Sequence, residues 1–255
     1  MDGSYVIGKS RSSTMTSQTV DAFIGGGQAD LIKVEDFEVQ IPFVEDGLSP
    51  YALTFFSDLD RALDEYYEMR AKRSHCDILE AVWTDDGRLL LENKPESTMR
   101  RSLQSFLAAY LRNATPWVLP EQNVNETEPV DIRIQWGSGR MSLIEIKWLG
   151  DSLGKDGEHV STTYRDARAV EGQLQVDAYG QEQATWAGGV IVRSRLVVFD
   201  ARRLGVEILP SGEVTSKDPW FYEARDIKKG DLPTVATSDG DWRRWFLEPS
   251  APRRA

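Results

Sequence analysis

Two apolar segments on either side of a Gly-Ser-Gly turn constrain the fold of this chain more than any other feature. They run from Val130 to Trp136 and from Met141 to Leu149, and together with the turn they predict two antiparallel strands. Side chains in a strand alternate between the two faces of the sheet. Glu145 and Lys147 are therefore expected on one face, while the apolar residues beside them pack on the other.

The register of this hairpin determines which charged residues meet. A three-residue loop centred on Ser138 would place Asp131 directly opposite Glu145, whereas a slip of one residue would separate them. Two carboxylates this close repel each other unless a cation lies between them, and hard oxygen ligands suit Mg²⁺ or Mn²⁺. The neighbouring Lys147 could orient or help to deprotonate the attacking water, while the metal stabilises charge on a phosphate. The hairpin thus predicts metal-assisted hydrolysis of phosphodiesters.

These residues resemble the active-site motif of the PD-(D/E)XK nuclease superfamily, which has the restriction-endonuclease-like fold. Val130-Asp131 corresponds to the PD element and Glu145-Ile146-Lys147 to the (D/E)XK element, although Pro129 precedes Asp131 by two positions instead of one. The resemblance covers about residues 95 to 200. It implies an α/β fold with an α-β-β-β-α-β core, in which helices flank a central mixed sheet. It also implies that Asp131 and Glu145 bind Mg²⁺ or Mn²⁺ and that Lys147 positions the water.

One branch of the superfamily, typified by the RecB-type nucleases, carries a Gln-x-x-x-Tyr motif on the helix that follows these strands. The apolar periodicity predicts such a helix from about Thr163 to Gln181. Gln175 and Tyr179 match the motif and project from one helix face, beside an apolar stripe formed by Ala167, Val170, Leu174 and Ala178. The resemblance implies that Gln175 and Tyr179 line the cleft and steady the scissile phosphate.

The resemblance also suggests further site residues. The superfamily often supplies an acidic residue from the helix before the sheet, and Glu96 is the matching candidate for completing the metal site, with Glu121 as a competitor. Basic residues near the expected cleft are candidates for contacts with the nucleic-acid backbone. They are Arg100, Arg101, Arg193 and Arg195.

Other short motifs offer alternatives. Two further acid-x-lysine triplets, Glu92 to Lys94 and Asp226 to Lys228, compete with the hairpin motif, and Asp77 lies upstream of the first. Glu145 and Lys147 could also form an ordinary solvated ion pair on a strand face. His75-Cys76 and His159 are better explained as helix-end and loop residues than as catalytic groups.

Gly3 to Ser10 matches the letters of a P-loop, so a nucleotide-binding switch through Lys9 and Ser10 is a further hypothesis. A working P-loop needs a buried strand before it and a helix after it, because backbone amides at the helix N-terminus hold the phosphate. That context is not evident around these residues, which weakens the hypothesis.

The pattern along the chain predicts three segments. A flexible lead-in with room for one short strand and an acidic extension span residues 1–75, the nuclease core spans residues 76–210, and a loop-rich tail spans residues 211–255. Helices are expected from Ser57 to about Arg70 and from Pro95 through Tyr110. Strands are expected at Ile78–Trp83 and Arg88–Leu91, which would form a hairpin, at Trp117–Leu119, and between Gly188 and Phe199.

Acidic residues dominate one part of the chain. The formal net charge is −11, and eleven acidic but only three basic residues lie between Asp30 and Arg70. This segment is either a solvated surface or a face that binds a partner or masks the site. Its charge argues against strong nonspecific binding of DNA by the free chain.

Composition restricts location and chemistry. With two histidines, HNH-type and HD-type hydrolase sites are excluded, and one cysteine permits no internal disulfide. No segment approaches the roughly 20 apolar residues of a membrane span, and no signal peptide is evident. We therefore expect a soluble, cytoplasmic protein without membrane contact.

The residues and the resemblance together predict a Mg²⁺- or Mn²⁺-dependent nuclease, with DNA as the expected nucleic-acid substrate. Because the chain has no convincing ATPase, helicase or sensor module, we expect it to be the effector subunit of a bacterial antiphage-defence or DNA-repair complex. Its activating or regulatory protein partner could then be an ATPase or a sensor, and self-association is compatible with this role. The alternative is a catalytically silent subunit that keeps the fold to bind nucleic acid or partner proteins.

Overall fold

The structure is a computed structural model that describes ten segments of the chain and divides it into two compact units, Met1–Ala52 and Leu53–Ala255. The described segments are residues 20–24, 29–34, 37–42, 56–111, 117–123, 129–136, 140–186, 191–218, 225–230 and 242–250. No helix among these segments is long and apolar enough to cross a membrane.

The N-terminal unit contains a three-stranded antiparallel sheet. Its strands are β1 (Val20–Ile24), β2 (Ala29–Val34) and β3 (Phe37–Pro42), and β2 lies in the centre. The sequence pattern leaves room for only one strand in the lead-in and for none in the acidic extension. Some charged residues of the acidic extension therefore lie in a regular β-meander.

The second unit is built on a mixed sheet with the strand order β11-β8-β6-β5-β4. Neighbours β4, β5 and β6 pair antiparallel, whereas β8 runs parallel to both β6 and β11. The strands are β4 (Trp117–Asn123), β5 (Pro129–Trp136), β6 (Arg140–Leu153), β8 (Ile191–Asp200) and β11 (Arg243–Phe246). This confirms the predicted α/β class with a mixed central sheet flanked by helices.

Three short strands complete the second unit. β7 (Val160–Tyr164) pairs with the end of β6, and its last two residues lie where the pattern predicts the start of a helix. β9 (Leu204–Ile208) and β10 (Val214–Asp218) form a separate antiparallel hairpin. The segment predicted as a loop-rich tail therefore contributes β10 and, through β11, an edge of the central sheet.

The hairpin predicted at residues 78–83 and 88–91 is wrong. Asp77–Glu80 forms a helical turn, α2, whose N-cap is Cys76: its Sγ accepts a hydrogen bond from Leu79 N at 3.4 Å. A single bridge joins Trp83 to Leu91, and Leu91 also bridges to Ser152 of β6. The polar turn is tightened by Asp85, which accepts backbone hydrogen bonds, so the chain folds back without a strand ladder.

Two helices cover one face of the central sheet. α1 (Phe56–Tyr66), extended by the π-helical turn Tyr67–Ala71, and α3 (Glu96–Tyr110) match the predicted helices closely. Their apolar faces pack with the β6 side chains that point away from Glu145 and Lys147. The fully buried side chains of this cluster include Leu59, Leu63, Tyr66, Met99, Leu103, Leu107, Ile144 and Ile146.

The helix α4 (Asp166–Trp186) covers the opposite face. The apolar stripe predicted for it is exposed, and Leu174 at its centre has 48% of its surface accessible. The buried face instead carries Ala169 and Val176 together with the polar Gln173 and Asp177. The prediction was wrong because the sheet face beneath this helix bears the charged Glu145 and Lys147, so polar side chains are buried here as well as apolar ones.

Acidic residues of α1 form ion pairs within the second unit. Asp60 accepts two hydrogen bonds from the buried Arg195, at 3.2 and 3.1 Å, and one from Arg243 at 2.8 Å. Asp64 also pairs with Arg243. Part of the acidic segment thus neutralises arginines of β8 and β11 rather than facing only solvent.

Replacing Asp60 by asparagine should destabilise the protein, because Arg195 would keep its charge in a buried position without its carboxylate. We expect a loss of about 1–3 kcal/mol in the free energy of unfolding. Asp64→Asn removes a much more exposed charge from the same helix and should cost about 0.5 kcal/mol or less. Urea denaturation of both variants measures the difference, and equal losses would contradict this account.

Candidate active site

The predicted register of the β5–β6 hairpin is confirmed. Ile132 lies opposite Ile144, and Arg133 lies opposite Leu143. The pairing ends at Ile132 and Ile144, and Asp131 precedes this pair on β5. The negative charge of Asp131 acts on Glu145, so the two carboxylates lie close together. Lys147 lies on the same face of β6 as Glu145. Asp131, Glu145 and Lys147 are 5%, 4% and 3% exposed, so the alternative of a solvated strand face is wrong.

Asp131 is held by two donors. Its Oδ1 accepts a hydrogen bond from Arg100 Nη1 at 3.0 Å, and its Oδ2 accepts one from the backbone N–H of Ile146 at 2.8 Å. The bond to Ile146 crosses to the neighbouring strand and directs the carboxylate toward the segment that carries Glu145. Burial raises the pKa of Asp131, while the Ile146 N–H, Lys147 and Arg100 oppose this rise.

Glu145 and Lys147 form a buried ion pair. Lys147 Nζ donates to Glu145 Oε1 at 2.5 Å. Among the residues that the structure describes, no hydrogen-bond donor reaches the buried Oε2 of Glu145. Burial and then the negative charge of Asp131 raise the pKa of Glu145 to about 8, although Lys147 lowers it. Once the carboxyl group has lost its proton, its Oε2 is therefore open to a cation.

Glu96, at the first position of α3, belongs to the same electrostatic cluster. Burial and then the charge of Asp131 raise its pKa, and Lys147, Arg168 and Arg100 lower it. Its Oε2 lies 3.6 Å from Arg168 Nη2 of α4. The structure thus brings Glu96 into the surroundings of Asp131 and Glu145; we call these three residues the carboxylate cluster. The side chain of the competing Glu121, on β4, lies outside the described residues.

Gly172 of α4 allows Lys147 to lie beneath the helix. A Cβ atom added to Gly172 would lie 2.5 Å from Lys147 Cγ and 2.9 Å from Leu196 Cδ1, which is too close for either contact. Glycine inside a helix costs about 1 kcal/mol relative to alanine. Its presence in the second turn of α4 is the sequence signal that could have identified this close approach.

Both residues of the predicted Gln-x-x-x-Tyr pair lie on α4, and their role beside the carboxylate cluster stays a prediction. Tyr179 is buried in the apolar cluster between α4 and the sheet, and Gln175 is only partly buried. The helix face that carries Gly172 presents Gln173 and Asp177 instead, and Gln173 Nε2 donates to Asp177 Oδ1 at 2.8 Å. The sequence pattern did not single out these two residues, although polar residues four apart on one helix face are a signal.

The four predicted arginines are distributed over the molecule. Arg100 contacts Asp131, and Arg101 is exposed on α3. Arg195 binds Asp60 on the sheet face covered by α1, and Arg193 alternates with it toward that same face. The structure therefore brings Arg100 to the carboxylate cluster but places Arg193 and Arg195 across the sheet from it.

The competing motifs lack comparable surroundings. Glu92 accepts a hydrogen bond from the Thr98 hydroxyl at 2.7 Å, and Lys94 has a positive φ of 57°, so this triplet does not lie on a strand. Residues 225–230 are also not in a strand. His159 is exposed and lies 3.3 Å from Asp156. Lys9 and Ser10 lie outside the described residues.

The donor atoms of the carboxylate cluster suit a hard divalent cation. Asp131, Glu145 and Glu96 offer carboxylate oxygens, and the buried Oε2 of Glu145 would gain a partner from a bound Mg²⁺ or Mn²⁺. Among the described residues no three His, Cys, Asp or Glu side chains are already grouped to hold a metal ion. Basic groups contact all three carboxylates instead: Arg100 at Asp131, Lys147 at Glu145 and Arg168 at Glu96.

Comparisons with known proteins do not assign a family to the chain. No protein-family model matches it, and no curated protein or solved structure shows significant similarity to it. The assignment of function therefore depends on the chemistry of the carboxylate cluster and Lys147.

The raised pKa of Glu145 predicts a pH-dependent stability. Its usual value is near 4.5 and its value in the fold is about 8. The folded protein therefore binds this proton more tightly than the unfolded chain does, and the associated stability is lost as pH rises from about 4.5 to 8. We expect the Tm to fall over this range and the fall to be smaller in Glu145→Gln, measured by thermal melting in EDTA. An unchanged slope in the variant would contradict the assignment.

The contact between Gly172 and Lys147 predicts that replacing this helical glycine by alanine lowers the stability of the protein instead of raising it. At a position with room, this change stabilises a protein by about 0.5–1 kcal/mol. Gly172→Ala should instead destabilise it by about 1–3 kcal/mol, because the new methyl group overlaps Lys147 and Leu196. Urea denaturation gives the value.

A double-mutant cycle isolates the part due to Lys147. In the Lys147→Ala background, Gly172→Ala should cost measurably less, because the nearest atom is gone. Leu174→Ala, on the exposed face of α4, serves as the control that leaves this packing intact. A stabilising effect of Gly172→Ala in the wild-type background would show that the close approach is absent.

Proposed function

We propose that this chain is a divalent-metal-dependent nuclease with the restriction-endonuclease-like fold of the PD-(D/E)XK superfamily. The observation that carries the proposal is the burial of Asp131, Glu145 and Lys147 together on two adjacent strands, with Lys147 bonded to Glu145 and the charge of Asp131 acting on Glu145. The element order α3-β4-β5-β6-α4-β8 agrees with the predicted α-β-β-β-α-β core apart from the inserted β7, and supports the proposed topology.

The site residues have distinct proposed roles. Asp131 and Glu145, with Glu96 at the margin, would hold the cation through carboxylate oxygens. A bound Mg²⁺ or Mn²⁺ would stabilise negative charge on the phosphate and promote ionisation of the attacking water. Lys147, fixed beneath α4 by Gly172, would position that water and help to neutralise charge on the phosphate.

DNA is the proposed substrate, because the resemblance favours it. Arg100 and Arg168 lie at the margin of the carboxylate cluster with about a fifth of their side-chain surface exposed, so they are the arginines best placed to meet a phosphate. Arg101 is exposed on the same helix as Arg100. Arg193 and Arg195, across the sheet, are not part of this proposed contact.

We also propose that the chain is the effector subunit of a bacterial antiphage-defence or DNA-repair complex, and that a protein partner such as an ATPase or a sensor activates it. The pairing of Asp60 and Asp64 with Arg195 and Arg243 gives these two acidic residues a structural role within the second unit. Any docking or masking surface within the acidic segment should therefore involve its other residues.

Cleavage of supercoiled plasmid and of a labelled single strand tests the proposal. Incubation with Mg²⁺, with Mn²⁺ or with EDTA should give cutting that depends on the metal. Lys147→Met keeps the volume of the buried side chain but removes its charge, and it should lower the rate by about a hundredfold or more. Lys155→Ala, which removes an exposed lysine of the nearby loop, should cut as the wild type does.

Two outcomes would oppose the proposal. Cutting that persists in EDTA or in Lys147→Met would show that another site or a contaminant is responsible. Nucleic-acid binding without cutting, combined with no binding of Mn²⁺ by the wild type, would favour the catalytically silent subunit.

A further inference from the structure

Each member of the carboxylate cluster is paired with a basic side chain that a divalent cation would have to compete with. Lys147 contacts Glu145, Arg100 contacts Asp131 and Arg168 lies near Glu96. When all three carboxyl groups are ionised, three negative charges thus meet three positive charges. A cation that enters this neutral group gains little attraction unless one of the basic groups moves away.

The three basic groups differ in their freedom to move. The side chain of Lys147 is 4% exposed and lies between Glu145, Gly172 and Leu196. The side chain of Arg100 is 22% exposed, and its Nη1 donates to Asp131 Oδ1 at 3.0 Å. A partly exposed arginine can turn its charged end into water at low cost. Arg100 is therefore better placed than the buried Lys147 to give way to a cation.

The Arg100 guanidinium contacts one particular oxygen of Asp131. Asp131 uses Oδ2 for the backbone N–H of Ile146, which is part of the sheet and does not move. Its Oδ1 is the oxygen that binds Arg100. A cation bound through Oδ1 would lie next to the guanidinium, so the two positive charges would compete for this oxygen.

We propose that Arg100 competes internally with the divalent cation for Asp131 Oδ1 and so sets the cation concentration at which the site fills. This inference rests on the proposed metal-dependent function, because it assumes that Asp131 is a metal ligand. Its consequence is that removing the guanidinium strengthens cation binding, although the change takes away a residue that stabilises the carboxylate. An arginine with a purely structural role would have the opposite effect.

Calorimetric titration of the full chain with Mn²⁺ tests this competition. Arg100→Gln should bind Mn²⁺ about fivefold more tightly than the wild type, as expected for removal of a partly exposed ion pair. Arg100→Lys keeps a cation that can contact one oxygen, so its affinity should stay within about twofold of the wild type. Arg101→Gln removes the same charge one residue further on, at an exposed position, and should also leave the affinity nearly unchanged.

Thermal melting in EDTA checks that each variant folds, and Arg100→Ala replaces Arg100→Gln if the latter does not melt cooperatively. Equal or weaker Mn²⁺ binding by the folded Arg100 variant would overturn the competition. An equal gain in Arg101→Gln would also overturn it, because the effect would then be one of net charge.

Glu145→Gln separates this inference from the proposed function. If Glu145→Gln loses Mn²⁺ binding and Arg100→Gln binds Mn²⁺ no more tightly than the wild type, the proposed metal site stands. Only the role of Arg100 is then overturned. Absence of Mn²⁺ binding by the wild type and by Arg100→Gln alike would overturn both.

Discussion

The buried contact between Glu145 and Lys147 is the interaction around which the candidate active site of the second unit is arranged. Both side chains lie in the centre of the sheet with almost no exposure, and Lys147 Nζ approaches Glu145 Oε1 to 2.5 Å. Removing two charges from water costs several kcal/mol for each ion, and one ion pair seldom returns more than that cost. Apolar residues of similar volume would satisfy the fold equally well. The burial of this pair is therefore better explained by chemistry at the site than by stability.

The helix above the pair is fixed by contacts at both its start and its middle. Asp166, the first residue of α4, pairs with the buried Arg202, which also binds Asp200 at the end of β8. Asp200 in turn accepts a hydrogen bond from Arg244 of β11 at 2.7 Å. Six residues beyond Asp166, Gly172 leaves the space that Lys147 fills. Polar contacts at the ends of β8 and β11 thus hold the start of the helix, and Gly172 leaves room for the lysine beneath it.

The sequence correctly predicted those helices and strands whose structure depends mainly on their own residues. The alternation around Glu145 and the short loop specified the hairpin register, and the apolar periodicities of α1 and α3 matched the faces that the sheet buries. The buried face of α4 could not be found in this way, because it packs Gly172, Gln173 and Asp177 over a charged strand. The strand predicted at residues 78–83 is wrong because the side chains of Cys76 and Asp85 accept hydrogen bonds from nearby backbone N–H groups. These bonds stabilise a helical turn and a tight turn in place of the predicted hairpin. The partners of Arg100 and Arg195 depend on residues far apart in the chain, which no local pattern reveals.

The central claim is that the carboxylate cluster binds a divalent cation next to Lys147. Crystals grown with Mn²⁺ and measured near the manganese absorption edge test it directly, because the anomalous signal locates the ion independently of any function assay. The account predicts a peak in contact with Asp131 and Glu145, with the Arg100 guanidinium moved away from Asp131. A structure at saturating Mn²⁺ that shows no peak there, with Arg100 still bound to Asp131, would contradict it.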